Sequence, residues 1–320
     1  MLEQESMEIR TVPVQSRRRY FDLLLLADEQ ESMVNRYIDK GDMFVASTDG
    51  TDVGEAVVMP LGHGVLELKN IAIFPEFQRH GYGKLLTEQI LSYYGNGCAV
   101  MLVGTGDSRM TVSFYESCGF TYSHRVPDFF IDNYDHPIIE CGVRLIDMVY
   151  FKRINHDSAL LENSFFLRPA LKTDVESLRF LFMETVKCVN FGDYTREEVD
   201  DWASCGMDLS HWEQLLADAD YFIVAEHPLA GMVGFASMTD DCEYLHSLFV
   251  SKDYQHIGIA TALLQAVERH ANEKGRKHIH TEASITARPF FEHKGYGVEK
   301  AQMAKANRLY MRNYVMSKQL

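Results

Sequence analysis

The chain repeats itself, and that limits its fold more than composition does. Residues 64 to 95, GVLELKNIAIFPEFQRHGYGKLLTEQILSYYG, align with residues 241 to 275, DCEYLHSLFVSKDYQHIGIATALLQAVERHANEKG. Each reads as an apolar strand, a short polar loop opening on a glutamine (Gln78, Gln255) and a helix entered through a glycine. Tyr82, Leu86, Ile90 and Tyr93 fall at i, i+4, i+8 and i+11, and Ile259, Leu263, Val267 and His270 repeat those offsets, so each helix has one packed face. A second pair of segments follows, SFYESCGF at 113 to 120 and PFFEHKGY at 289 to 296. Gly81 and Gly119 are 38 positions apart and Gly258 and Gly295 are 37 apart. Two motifs in the same order at matched spacing identify a tandem duplication, with expected domains 1–156 and 157–320.

The first half reads as a strand near 7 to 12, helices at 16 to 28 and 29 to 40, and strands near 43 to 48 and 53 to 61 before the repeated strand, loop and helix. A strand at 99 to 105, a short helix at 109 to 118 and strands near 120 to 126 and 144 to 152 complete it. The second half repeats the order: strand 165 to 169, helices 174 to 189 and 195 to 218, strands 221 to 226, 231 to 239 and 243 to 250, and helix 258 to 274. Strand 278 to 284, helix 287 to 294 and strands 297 to 304 and 308 to 317 follow. The class is α/β (α+β), a mixed sheet with helices on both faces in each half.

The opening residues Met1 to Ser6 form no apolar leader, and no run reaches the roughly 18 apolar residues of a membrane span, so a cytoplasmic chain is expected. The 31 basic and 46 acidic residues give a net charge of −15, which repels phosphate backbones and leaves nucleic acid a poor partner. A small cationic acceptor suits this balance better. The six cysteines form no C-x-x-C pair, so neither a zinc knuckle nor a disulfide framework is expected. His278 and His280 share a strand face without a third ligand nearby, and no metal is expected. Asp240-Asp241 reads as a hairpin turn.

A strand that ends in a glycine-containing turn and opens a helix gathers unpaired backbone N–H groups at the positive end of the helix dipole. Such a turn suits a nucleotide-like phosphate. Neither a P-loop nor a G-x-G-x-x-G fingerprint is present. The pattern Q-x-x-G-x-G/A after a strand, followed by F/Y-(Y/F)-E-x-x-G-F/Y, resembles the acetyl-CoA signature of the GNAT superfamily of N-acetyltransferases. Both halves carry it. EASITARPFFEHKGYG at 282 to 297 is similar to one bacterial subgroup, and VGTGDS at 103 to 108 with FYESCGF to another.

The resemblance implies two tandem GNAT-type acyl-CoA N-acyltransferase domains with acetyl-CoA as co-substrate. It places the pyrophosphate on the Gln78, Arg79, His80, Gly81, Tyr82, Gly83, Lys84 loop and on the Gln255, His256, Ile257, Gly258, Ile259, Ala260, Thr261 loop. The pantetheine arm would lie like an added strand beside Ile71, Ala72 and Ile73, and beside Leu248, Phe249 and Val250. Direct attack needs a neutral amine, hence a base, for which Glu67 is the candidate. Tyr115 stands where the family places its general acid. In the second half Phe291 replaces that tyrosine and Tyr244 replaces Glu67, leaving departure through water, or Ser284, Glu282 or Tyr310, or binding without catalysis. The first half, with the fuller set, is the expected catalyst. Asn190 to Trp202 is expected to line the acceptor site, its acids with Tyr194 and Trp202 holding a cationic amine; the 128 to 135 excursion is expected to rim the site of the first half. The function implied is acetyl transfer to a primary amine of a small, cationic molecule, the alternative being a CoA-sensing or scaffold protein. Oligomeric state is not legible.

Overall fold

The computed structural model describes residues 7–239 and 241–320. The opening residues and Asp240 of the expected turn lie outside them. The chain divides into two units, Met1–Phe166 and Leu167–Leu320. This division falls C-terminal to the position read from the repeat, because Leu161 and Phe166 complete an apolar cluster with Val65, Ala99, Val100 and Leu102.

The first unit runs β1 Glu8–Thr11, α1 Phe21–Leu24, α2 Glu31–Val34, β2 Asp42–Thr48, β3 Thr51–Gly62, β4 Val65–Ile73, α3 Tyr82–Tyr94, β5 Val100–Gly106 and α4 Arg109–Ser117. It ends with β6 Thr121–Val126, α5 Phe129–Asn133, the short strands β7 Ile139–Glu140 and β8 Val143–Arg144, and β9 Met148–Ile154. Its sheet has the order β1-β2-β3-β4-β5-β9-β6, antiparallel except for the β4–β5 pair.

The second unit runs β10 Phe166–Pro169, α6 Val175–Val189, α7 Arg196–Ser204, α8 Leu209–Asp218, β11 Tyr221–His227, β12 Gly231–Met238, β13 Tyr244–Val250 and α9 Ile259–Glu273. It closes with β14 His278–Ser284, α10 Arg288–His293, β15 Gly297–Lys305 and β16 Tyr310–Gln319. Its order, β10-β11-β12-β13-β14-β16-β15, repeats that of the first, and β13–β14, in the place of β4–β5, is again parallel. The expected mixed sheet with helices on both faces is thus present twice.

In the first unit, α3 and α4 pack one face through Leu86, Ile90, Tyr115 and Cys118, with Phe44, Ala56 and Met101 beneath them. The other face carries α1 and α2 through Leu24 and Val34, with Tyr37 and Ile38 of the turn after α2, over Met43, Val45 and Val57. Tyr93, read as the end of the α3 stripe, is exposed, and Tyr94 packs on the core instead. That continues the i+4 step from Ile90.

Two helical readings are corrected. The expected helices 16–28 and 29–40 shrink to a 3₁₀ segment, Val14–Tyr20, with α1 and α2. The buried Arg17 guanidinium donates to the carbonyls of Val12, Ile38, Lys40 and Gly41 at 2.8 to 3.2 Å, fixing the segment ends by tertiary rather than helical bonds. The expected helix 195–218 breaks into α7 and α8, because the Asp208 carboxylate accepts from the His211 N–H and starts a new helix.

Candidate functional site

In both units the site grows from a parallel pair that parts company. β4 and β5 bond only from Val65↔Val100 to Leu68↔Val103, although β4 continues to Ile73 and β5 to Gly106. β13 and β14 bond only at Tyr244↔His280 and Leu245↔Thr281. Ile71, Ala72 and Ile73 are bonded on one side, to β3, and Leu248, Phe249 and Val250 likewise to β12. The edge turned toward the departing strand is left for an extended, amide-bearing guest.

Each edge leads into the glycine loop. In the first unit the Gln78 side chain donates to the Ile73 carbonyl at 2.9 Å and ties the loop to the end of β4. Arg79 (φ 65°) and Gly81 (φ 88°) are left-handed on either side of His80; the second unit repeats this with His256 (φ 64°) and Gly258 (φ 101°). Gly81 and Gly258 are the N-caps of α3 and α9. The left-handed turns set successive backbone N–H groups at the helix start, an anion cradle. A Cβ on Gly81 would meet no atom within 4 Å, so the approach to this backbone is open, whereas one on Gly83 would lie 3.2 Å from the Phe114 ring. Gly83 therefore lets α4 pack closely. Gln78, Arg79, His80, Gly81 and Lys84 are exposed; Tyr82 and Gly83 are half-buried. This geometry fits a pyrophosphate followed by a pantetheine arm.

The second unit holds a cavity of about 1170 Å³. Leu248, Phe249, Val250, Gln255, His256, Gly258, Ile259, Ala260 and Thr261 line it, and of the residues expected at this loop Ile257 does not. Tyr244, Ser284, Glu282 and Phe291 line it too, but Tyr310, 60% exposed, does not. Glu282 accepts from Asn313 at 2.9 Å. Burial pushes the Tyr244 hydroxyl up to about 12, so it stays protonated.

Sequence reasoning passed over His246, which also lines this cavity. It occupies the place of Lys69 in the repeat, so its signal was available. Its Nδ1 lies 2.8 Å from Ser247 Oγ. Burial, and secondarily His211, lower its pKa from the usual imidazole value, while Glu282 pulls weakly the other way. A neutral imidazole at neutral pH can accept a proton.

In the first unit Glu67 is nearly buried and accepts from Lys69 Nζ at 3.0 Å and the Tyr150 hydroxyl at 3.3 Å. Tyr150 stacks on His124 at 4.6 Å. Tyr115 is 8% exposed, edge-on to Phe114 and Phe120, and burial raises its ionisation well above the ordinary phenol range. Across the sheet, Asp28 accepts from the hydroxyls of Tyr37 and Tyr134. The 128 to 135 excursion reaches this group through Tyr134, while Phe130 packs with Ile138, Leu145 and Met148.

In the Asn190 to Trp202 segment, Asn190, Tyr194 and Trp202 line the cavity, while three of the five acids serve the fold. Asp193 accepts from Thr286, Glu198 closes the cap at Thr195, and Asp201 accepts the N–H groups of Asn307, Arg308 and Leu309. Away from the cavity, Cys242, His270 and Asp220 converge within 4.8 Å, His270 and Cys242 both hydrogen-bonding the same Asp220 oxygen. His278 meets Glu243 instead.

Residues 190–317 match a family model described as an acetyltransferase (GNAT) domain, and residues 39–122 match a second model of the same description. The uncharacterized N-acetyltransferase YvbK of Bacillus subtilis (strain 168) is 34% identical over 131 residues, 40% of this chain and 84% of the relative. The uncharacterized N-acetyltransferase YafP of Escherichia coli (strain K12) is 29% identical over 143 residues, 45% of this chain and 88% of its own. Among solved structures, a Bacillus subtilis acetyltransferase in complex with CoA is 30% identical, covering 47% of this chain and 99% of its own, with a TM-score of 0.44.

Proposed function

The chain belongs to the GNAT family of N-acetyltransferases and takes acetyl-CoA as co-substrate, and on that premise we propose that it acetylates the primary amine of a small molecule bound in the second-unit cavity. The observation that carries this reading is the free β13 edge, which runs from the glycine loop into the same cavity that His246 lines. Acetyl-CoA supplies an activated acyl group and a thiolate leaving group. His246, neutral at physiological pH, takes the proton from the acceptor's ammonium. The amine lone pair then forms the C–N bond, the C–S bond breaks with its electron pair leaving on sulfur, the second proton that the nitrogen sheds passes through water to the thiolate, and His246 returns its own proton to solvent. A backbone N–H on the free β13 edge polarises the thioester carbonyl. Phe291 has no proton to give, and Tyr244, held protonated, can donate a hydrogen bond to the departing thiolate.

For the first unit we propose Glu67 as the base and Tyr115 as the hydroxyl donor. There Glu67 must exchange its Lys69 and Tyr150 partners for the acceptor's ammonium. The Arg79 to Lys84 and His256 to Thr261 amides would hold the two pyrophosphates.

Calorimetric titration of acetyl-CoA into the intact chain tests the reading, with Gly81→Glu and Gly258→Glu beside it. A carboxylate on either left-handed turn repels the pyrophosphate and strains the backbone. Two sites, each lost with its own variant, support two working cradles. A site lost only with Gly258→Glu makes the first unit a silent copy. Absence of binding in the unaltered chain refutes the assignment of these loops.

A further inference from the structure

The two units place different side chains at one unusual point of the repeat. β4 bonds to β5 as far as Leu68, and β13 to β14 as far as Leu245. The next residue, Lys69 or His246, has no residue opposite it on the antiparallel neighbour: Val58↔Leu68 is followed by Val57↔Asn70, and Met238↔Leu245 by Ser237↔Ser247. Each is the extra residue of a β-bulge, which bends the strand and re-aims that side chain. In the second unit the bulge residue lines the cavity. The edge suited to the pantetheine arm begins two residues further on, at Ile71 or Leu248.

Lys69 is itself a primary amine. Its Nζ lies 3.0 Å from Glu67 Oε1, the atom that also accepts from the Tyr150 hydroxyl at 3.3 Å, and this is within the reach a base needs to take a proton. Another carboxylate that feels the Lys69 charge, Asp28, is engaged by the hydroxyls of Tyr37 and Tyr134. The lysine side chain is 25% exposed and the Glu67 side chain 11%. An ion pair so placed adds little net stability over apolar side chains. The second unit builds the same sheet without it, with Tyr244 and His246 in the two places. An external amine must displace the Lys69 ammonium before it can meet Glu67, whereas Lys69 is already there.

We propose that Lys69 is a modification site: the first unit transfers an acetyl group from acetyl-CoA to the Nζ of its own Lys69. This rests on the first-unit reading above, with Glu67 as base and the Gly81 loop as the acetyl-CoA cradle. Glu67 takes one proton from the Lys69 ammonium, and the freed lone pair attacks the thioester carbonyl. The C–N bond forms and the C–S bond breaks with its electron pair on sulfur. The second proton that the nitrogen sheds passes through water to the thiolate, and Glu67 returns its own proton to solvent. The products are free CoA and a neutral amide on β4. With acceptor and base on one strand, the reaction is intramolecular.

The test incubates the full chain with excess acetyl-CoA carrying a deuterated acetyl group, which separates label gained in the tube from acetylation carried over from the expression host. Peptide mass spectrometry follows each lysine. Lys69 should gain label about a hundredfold faster than the exposed Lys40 and Lys277, with a rate constant that does not change when the protein is diluted. Unlabelled acetyl already filling Lys69 in the isolated natural chain, but not in Gly81→Glu, counts as the same result. Glu67→Gln and Gly81→Glu should each bring Lys69 toward the rate of the exposed lysines. Lys69 unmodified at the start and labelled no faster than Lys40 and Lys277, or labelled at a rate that falls on dilution, overturns the proposal on the unaltered chain, whatever the variants do. Acetylation of Lys69 that persists in a folded Gly81→Glu chain overturns it too. Calorimetry separates the two levels: an acetyl-CoA site lost with Gly81→Glu, together with an unmodified Lys69, refutes this inference alone, whereas absence of that site refutes the first-unit reading beneath it.

Discussion

Glu55 carries the most quantitative consequence of this fold. It lies in the middle of β3 opposite Ala72, has 0% exposure, and neither carboxyl oxygen meets a hydrogen-bond partner of acceptable geometry among the described residues. Burial drives its pKa well above 4.5, with the Ala72 amide pulling weakly the other way. Above pH 4.5 the unfolded chain gives up this proton while the folded chain keeps it. The folded state then binds more protons, so stability falls as pH rises, by about 1.4 kcal/mol per pH unit, until the buried carboxyl itself ionises. Glu55→Gln removes the titration and leaves the shape nearly unchanged. The variant should therefore match the natural chain near pH 4.5 and gain on it at each step upward. With a urea dependence of about 1 to 3 kcal/mol/M, one pH unit corresponds to a midpoint difference of roughly 0.5 to 1.4 M. Both tryptophans, Trp202 and Trp212, lie in the second unit. Fluorescence thus follows that unit, and the first unit's transition is read by far-ultraviolet circular dichroism. A stability difference that stays flat between pH 5 and 8 would show that Glu55 reaches solvent or a partner, and the argument would fail.

His246→Gln should lower kcat by about a hundredfold or more at pH 7 while leaving calorimetric acetyl-CoA affinity within a few-fold. Because burial lowers the His246 pKa, the acid limb of the natural kcat/KM profile should fall below pH 6.5; a limb above that value would assign the base elsewhere. Arg17→Met strips donors from four carbonyls and should cost the first unit roughly 3 to 5 kcal/mol, measured by urea unfolding; a change under 1 kcal/mol would refute the stapling role. The Leu309 N–H, with those of Arg308 and Asn307, holds Asp201 down to about 2. Its contribution is therefore present above pH 3.8 and lost as pH falls toward 2. The fluorescence midpoint of Asp201→Asn should lie below that of the natural chain at pH 5, and the gap should narrow below pH 3.8; a constant gap would exclude the carboxylate's charge as the cause.

By itself the sequence determined the two-domain plan, the repeated succession of elements along each half and the position of the glycine loops. These depend on local patterns: an apolar strand, a left-handed turn that glycine suits, and an amphipathic helix at 3.6 periodicity. Duplication then doubles each signal. The tertiary structure alone decided where the helical stretches break, because Arg17 and Asp208 compete for backbone groups through bonds that periodicity does not register. It also decided which polar side chains are buried and which face the site. Glu55 in β3 and His246 in β13 both sit in strands whose alternation gives a side but not what covers that side. Covering by α1 and α2 turned one into a buried acid, and the parting of β13 from β14 gave the other a place on a cavity wall. The acids of 190–202 read as ligands for a cation, yet most of them hold turns and caps, because a carboxylate's nearest N–H is fixed by chain segments as remote in sequence as 307–309. Local chemistry sets what each segment can do, and long-range packing selects which of its side chains the site receives.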